Sequence, residues 1–124
     1  MKFSELQLNP SLQRAVKKLG FHEPTPIQRQ AIPKILNGTD ILGTAQTGTG
    51  KTVAFLLPAI ERLLHTPSDK KPRMVILAPT RELVIQIADE ARNLARFTNI
   101  KVTAVYGGAS MKKQIGALRF GHGV

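Results

Sequence analysis

Residues 45–52 have the types and spacing needed to hold a chain of phosphate groups. A triphosphate is a dense anion, and backbone N–H groups can wrap it only where glycines let the chain come close. A lysine after the second glycine can contact the terminal phosphates, and the next threonine hydroxyl can take a place on Mg²⁺. The generic pattern begins with glycine where this chain has alanine, so a chance glycine-rich turn is the alternative. The predicted loop consists of Ala45, Gln46, Thr47, Gly48, Thr49, Gly50, Lys51 and Thr52.

The elements predicted around this loop alternate between strands and helices. The loop itself follows an apolar strand candidate and opens a helix, which is the context that a phosphate-binding loop requires. A continuous apolar run at 74–78 is typical of a strand that is buried on both faces. Alternation of this kind favours parallel strands joined by helical crossovers, and therefore an α/β fold for 39–124. The predicted strands are 40–45, 74–78 and 102–106, and the helices that follow them are 52–64, 81–97 and 110–119.

Residues 1–38 precede the α/β part and contain two helix-start signals. Asn9 followed by proline, and Thr25 followed by proline, each combine an N-cap residue with a proline at the first helical position. Gly20 is suited to close the first helix. Pro33 should break or kink the second.

Composition limits the classes of protein that this chain can belong to. Its 124 residues suit one domain, and 18 Lys and Arg against 8 Asp and Glu give a net charge of +10. Such an excess favours a polyanionic partner, with a simply solvated basic surface as the alternative. There is no cysteine, and His22, His65 and His122 lack metal-ligand spacing. The longest apolar run, 53–60, is too short to span a bilayer, so we expect a cytoplasmic protein without a membrane partner.

The motifs, taken in order, resemble those of the DEAD-box RNA helicase family. The phosphate loop with alanine in first position is the form usual in that family. Residues 20–28 read Gly-Phe-His-Glu-Pro-Thr-Pro-Ile-Gln, similar to its Q motif, and Phe3 lies 17 residues upstream of Gly20, like its isolated aromatic residue. Residues 79–83, Pro-Thr-Arg-Glu-Leu, resemble its first RNA-binding motif, and Gly107-Gly108 resembles its double glycine. The resemblance covers essentially the whole chain.

The resemblance implies a P-loop RecA-like fold that binds ATP and Mg²⁺. The fold would be a three-layer sandwich with a parallel sheet, of which this chain supplies three predicted strands. Thr52 would contact the metal, and Lys51 and Thr52 would serve catalysis. Gln28 would pair with adenine through its amide, which offers both a donor and an acceptor, and Phe21 would stack on the base. Without the resemblance, Phe21 would be a core residue and Gln28 a solvent-facing one.

The resemblance also implies that RNA is held by its phosphates, without sequence preference. Arg81 would lie at the carboxyl edge of the sheet, where ligands gather in open α/β folds. The alternative for Arg81 is a surface ion pair with Glu82 or Glu61. The residues implied in RNA binding are Pro79, Thr80, Arg81, Gly107 and Gly108.

The sequence contains no Asp-Glu-Ala-Asp motif, no Ser-Ala-Thr motif and no second RecA-like domain. Hydrolysis in this family needs the acidic pair of the Asp-Glu-Ala-Asp motif and arginines from the second domain. We therefore expect an ATP-dependent RNA helicase as the parent protein, while these residues alone are inactive and need the missing parts. A stand-alone nucleotide- or RNA-binding module without catalysis is the alternative. Another P-loop class, such as a transporter ATPase or kinase, is disfavoured by Phe21 and Gln28 upstream of the loop.

Overall fold

The computed structural model describes residues 1–46, 48, 50–67, 71–107 and 111–119, with side chains of the last helix described to 117. A 3-10 turn at Phe3–Glu5 comes first, followed by five α-helices. The three helices predicted after residue 39 are confirmed, with ends within two residues of those expected, and two helices precede them. None of the described helices has both the length and the apolar character needed to cross a membrane. The helices are α1 (Pro10–Lys18), α2 (Pro26–Leu36), α3 (Lys51–Leu64), α4 (Arg81–Ala95) and α5 (Met111–Arg119).

The first two helices begin at the predicted caps. The Asn9 side chain accepts a hydrogen bond from the Ser11 N–H at 2.9 Å, and Pro10 is the first helical residue. Thr25 caps α2 and accepts from the Gln28 N–H at 3.4 Å. Gly20 has a φ of +80°, a left-handed conformation that glycine adopts without steric cost and that ends α1 as predicted.

Pro33 does not break α2, so that part of the prediction is wrong. The helix continues to Leu36, and the Pro33 carbonyl still accepts a hydrogen bond from the Asn37 N–H at 3.1 Å. Proline inside a helix lacks a donor and its ring crowds the carbonyl four residues earlier, and the burial of neighbouring Ile32 and Ala31 offsets that cost. In the same way α3 runs through Pro58, which is fully buried.

One apolar core holds the helices together. α2 packs along α3, and α4 packs against both α1 and α3. Phe3, from the 3-10 turn, is 2% exposed and belongs to the same core. Removing this much apolar surface from water is the main source of the fold's stability. The core residues are Phe3, Leu12, Val16, Ile32, Val53, Leu56, Leu57, Ile60, Ile87, Ala91, Leu94 and Ala95.

The three segments predicted as strands contain no helix, but the described residues include no paired strand. In 74–78 burial alternates, because Ile76 packs on the core while Val75 is 78% and Leu77 is 91% exposed. A period of two is that of an extended chain with one covered face. The prediction that this run is buried on both faces is therefore wrong for the chain as it stands. Nothing in its described residues covers Val75 and Leu77, and Leu42, in the first predicted strand, is 97% exposed.

Candidate functional site

The predicted phosphate loop leads into the first turn of α3. Gly48 and Gly50 have φ values of +83° and +82°, so both positions need the left-handed conformation that favours glycine. Within the described part of the chain, no side chain caps the start of α3. The first N–H groups of a helix have no partner within the helix, and the helix dipole favours negative charge there, so this end of α3 is suited to an anion.

Two predicted ligands of the triphosphate and its metal begin α3. Lys51 is the first residue of the helix and is exposed, while Thr52 follows it and is half-buried. An exposed ammonium beside free backbone N–H groups suits a phosphate chain. Ala45 is half-buried and Gln46 exposed before the loop. The predicted ligands Thr47 and Thr49 lie outside the described residues.

Gln28 connects α2 to the phosphate loop. Its Nε2 donates to the Gly50 carbonyl oxygen at 3.2 Å, and its Oε1 accepts from the Thr25 N–H at 3.0 Å. The residue is 5% exposed, so the alternative that it faces solvent is wrong. An amide has two donor hydrogens and two acceptor lone pairs. These two bonds leave one donor hydrogen and one acceptor lone pair of the amide unused.

Phe21 lies beside Phe3 at the rim of the same site. The ring centroids are 6.2 Å apart with an interplanar angle of 30°, and Phe21 is 37% exposed. Phe3 is buried, and its N–H donates to the His22 carbonyl at 3.0 Å. A pocket of about 1060 Å³ is lined by Phe21, by Gln28 and by the start of α3. The structure thus brings together the Q-motif residues and the phosphate loop, which are separate in sequence.

A second cluster lies where the chain enters α4. Thr80 caps this helix by accepting from the Leu83 N–H at 3.1 Å. The guanidinium carbon of Arg81 lies 4.9 Å from the centre of the Tyr106 ring. Gly107 follows Tyr106 and is exposed, as are Pro79 and Arg81. The first RNA motif and the double-glycine segment therefore meet, although Gly108 itself lies outside the described residues.

Neither predicted ion pair of Arg81 is present in the part of the chain that is described. Glu61 instead lies 3.1 Å from His65 Nε2 and accepts from the Asn9 N–H at 2.9 Å. Arg81 lies against the Tyr106 ring, and its positive charge is not neutralised by a carboxylate in the described part of the chain. Among described side chains, no three His, Cys, Asp or Glu residues gather in a way that could hold a metal ion.

Two features of these clusters were not identified from the sequence, namely the capping box at the start of α2 and the role of Tyr106. Thr25 and Gln28 form a reciprocal capping box, and threonine followed three residues later by glutamine is a recognised signal for one. Tyr106 supports Arg81 and donates its N–H to Gln114 Oε1 at 2.8 Å. An aromatic residue directly before the double glycine was the only signal for Tyr106.

Comparison with known proteins finds the same family over most of the chain. The family model described as DEAD/DEAH box helicase matches residues 25–124. The chain is 53% identical over 94% of its length to "Probable ATP-dependent RNA helicase ddx27" of Dictyostelium discoideum, and covers 15% of that protein. It is 51% identical over 87% of its length to ATP-dependent RNA helicase SrmB of Escherichia coli strain K12, and covers 25% of it.

A solved structure supports the predicted fold. The chain is similar to the RNA helicase Prp28 from Chaetomium thermophilum, a structure with ADP bound, with a TM-score of 0.89 and 44% identity. The alignment covers 98% of this chain and 30% of that one. The prediction of a RecA-like α/β fold is thereby confirmed, and the relatives favour the helicase interpretation over a stand-alone module. The chain belongs to the DEAD/DEAH box helicase family.

Proposed function

We propose that this chain forms the ATP-binding part of an ATP-dependent RNA helicase, which uses ATP to remodel RNA duplexes. The observation that carries the proposal is the hydrogen bond from Gln28 to Gly50, which joins an adenine-reading amide to the phosphate loop. The chain spans 15% and 25% of the two relatives described above. The rest of the helicase reaction is therefore assigned to residues outside this chain.

The nucleotide would lie with its base near Phe21 and its phosphates at the start of α3. Gln28 has one N–H and one lone pair left, which suffices for the N6 amine and N7 of adenine. Lys51 would contact the β- and γ-phosphates. The hydroxyl of Thr52 would take one place on Mg²⁺.

RNA would bind at the Arg81 cluster. A planar guanidinium that stacks on Tyr106 is fixed in orientation and can donate two parallel hydrogen bonds to one phosphate. Thr80 and the exposed backbone at Gly107 lie alongside. Since these groups contact phosphates and not bases, binding would be independent of sequence. We assign Pro79 and Gly108 to the same RNA contact because they are next to Thr80 and Gly107 in the sequence.

Hydrolysis would require groups that this chain does not have. An acidic pair must hold the metal and position water, and arginines must stabilise the developing charge. The role of Lys51 and Thr52 is therefore to hold and orient the phosphates for that step.

The test compares Lys51→Ala with Lys34→Ala in the protein that carries this chain. Loss of a charged hydrogen bond costs about 1.5–3 kcal/mol, so Lys51→Ala should weaken ATP binding roughly tenfold to a hundredfold. Lys34 is exposed near the end of α2, and its loss should leave binding unchanged. Calorimetric titration with ATP measures both variants. Equal ATP affinity in the two would refute the proposed phosphate site.

A further inference from the structure

Two arginines share one aromatic ring at the far end of α4. The Cζ atom of Arg14 lies 4.0 Å from the Phe97 ring centre, and that of Arg96 lies 5.2 Å from it. Both arginines are exposed, and Phe97 is half-buried. Their attraction to the ring offsets part of the repulsion between two like charges held this close. The Phe97 ring therefore holds two guanidinium groups near one point of the surface.

Further cations extend this cluster along α1. Lys17 and Lys18 follow Arg14 by three and four residues, so all three lie on one face of the helix, and all are exposed. We call Arg14, Lys17, Lys18, Arg96 and Phe97 the α1–α4 basic surface.

The α1–α4 basic surface has no acidic counterpart. Residues 10–22 and 91–107 contain no Asp or Glu. His65 pairs with Glu61 and Arg92 pairs with Asp89, and no ion pair between described residues involves the four cations of this surface. The dipole of α1 favours cations in its last turn, which explains Lys17 and Lys18. It does not explain Arg14, earlier in α1. An unneutralised cluster of this kind is suited to a polyanion.

α4 links this surface to the Arg81 cluster. The helix has 15 residues, so its two ends are about 22 Å apart at 1.5 Å per residue. Arg92 lies between them and donates from Nη2 to the Val102 carbonyl at 3.3 Å, while Arg81 stacks on Tyr106. At 100° per residue, positions 81, 92 and 96 lie within about 60° of each other around the helix. Arg81, Arg92 and Arg96 thus lie along the side of α4 that faces 102–106.

We propose that the α1–α4 basic surface is a second binding site for the phosphate backbone of the RNA that Arg81 holds. The inference rests on the proposed function, because it takes RNA to be bound at the Arg81 cluster. A strand leaving that cluster along α4 passes Arg92 and reaches Arg96 after about 22 Å, roughly six stacked nucleotides at 3.4 Å each. There the two guanidinium groups offer the planar donors that phosphates accept. An acidic protein segment could satisfy the same charges, but continuity with the Arg81 cluster favours RNA.

The test measures RNA binding by fluorescence anisotropy at several salt concentrations, in the protein that carries this chain. The probes are labelled oligouridylates of about 3 and about 20 nucleotides, chosen so that only the longer one can span the roughly 22 Å between the two sites. One variant is Arg14→Gln with Arg96→Gln. Because that change also removes the contacts with Phe97, a second variant, Lys17→Gln with Lys18→Gln, removes charge without affecting them.

The control removes two cations elsewhere. Lys34→Gln with Arg62→Gln changes exposed residues near the ends of α2 and α3, helices that do not contribute to the α1–α4 basic surface. For the parent and this control, log affinity should fall more steeply with log salt for the long RNA than for the short one. Each double variant of the basic surface should flatten the long-RNA slope by about 1.4, at about 0.7 per phosphate contact. The short-RNA slope should stay unchanged.

The outcomes separate this inference from the proposed function. Suppose that Arg81→Gln lowers the affinity for both RNAs, while both variants of the basic surface bind the long RNA as the control does. The second site is then refuted and the proposed function stands. That result would leave the surface to an acidic protein partner. If the parent binds neither RNA, both proposals fail. A flattened slope for the long RNA alone, in both variants, supports the second site.

Discussion

The Nε2 of Gln28 donates a hydrogen bond to the carbonyl oxygen of Gly50, 3.2 Å away, and so fixes the first turn of α2 against the start of α3. The same carbonyl also accepts from the Ala54 N–H at 3.1 Å inside α3. A base that pairs with Gln28 must share its amide with this bond. Binding of the base and the position of the phosphate loop are therefore connected through one side chain.

Gln28→Ala should abolish a preference for ATP over GTP. The remaining donor and acceptor of the amide match adenine, whereas the guanine edge presents an acceptor where adenine has an amine. The variant also leaves the Thr25 N–H without its partner, so a modest loss of stability should accompany the change. Calorimetric titrations with ATP and GTP measure the preference. Gln30→Ala, an exposed glutamine on the same helix, is the control and should behave like the parent. A preference that survives Gln28→Ala would refute the adenine contact.

Gly50→Ala should lower the free energy of unfolding more than Gly48→Ala does, although both glycines have nearly the same φ. A left-handed conformation costs a non-glycine residue about 1–2 kcal/mol, and both variants should lose that much stability. A Cβ at Gly50 would in addition collide with the Gln28 amide, whereas one at Gly48 meets no atom within 4 Å.

The extra loss at Gly50 can be isolated with a double-mutant cycle. In a Gln28→Ala background the collision is gone, so Gly50→Ala should cost less by at least ~0.5 kcal/mol, a coupling typical of residues in contact. Gly48→Ala should cost the same in both backgrounds. Denaturant unfolding of the protein that carries this chain gives the four free energies of each cycle. Strict additivity of Gln28→Ala and Gly50→Ala would contradict the contact.

Local signals predicted the helices because each depends on residues near its own ends. Asn9 and Thr25 cap helices by bonds that span two or three residues, so the sequence alone specifies them. The glycine-lysine-threonine pattern likewise placed the phosphate loop at the start of α3. Strand pairing depends on neighbours that are remote in sequence, and the apolar run 74–78 could not reveal that Val75 and Leu77 lack cover in this chain. The contacts of Gln28 with Gly50 and of Arg81 with Tyr106 depend on tertiary packing in the same way.

Glu61→Leu should destabilise the protein more than Glu61→Gln. The Glu61 carboxylate is 6% exposed and accepts from the Asn9 N–H at 2.9 Å, which fixes the start of α1 against α3. Leucine keeps the bulk but leaves that N–H without a partner, at a cost of about 1–3 kcal/mol. Glutamine keeps an acceptor oxygen and should recover most of the loss. Thermal or denaturant unfolding of both variants gives the comparison, and equal stabilities would show that the Asn9 bond contributes little.

These 124 residues on their own should be marginally stable, prone to self-association and without RNA-stimulated ATPase activity. Leu42, Val75 and Leu77 are 97%, 78% and 91% exposed, and an uncovered apolar edge is a site for association between chains. The free energy of unfolding of a whole domain is only about 5–15 kcal/mol. The stabilisation that is lost when one face stays uncovered is therefore a large fraction of it. A sharp, cooperative melt of a monomer would show that the helices suffice.

Leu77→Ser tests the same idea from a single side chain. Because Leu77 is 91% exposed in this chain, the substitution should change the free energy of unfolding of the isolated 124 residues by no more than about 0.5 kcal/mol. It should also reduce self-association. In a complete sheet covered on both faces the same leucine would be buried, and its loss would then cost about 2–5 kcal/mol. Unfolding of both proteins, with sedimentation to follow association, measures the contrast. An equal and large destabilisation in the two would mean that Leu77 is already covered in the isolated chain, because only a buried leucine has that much free energy to lose.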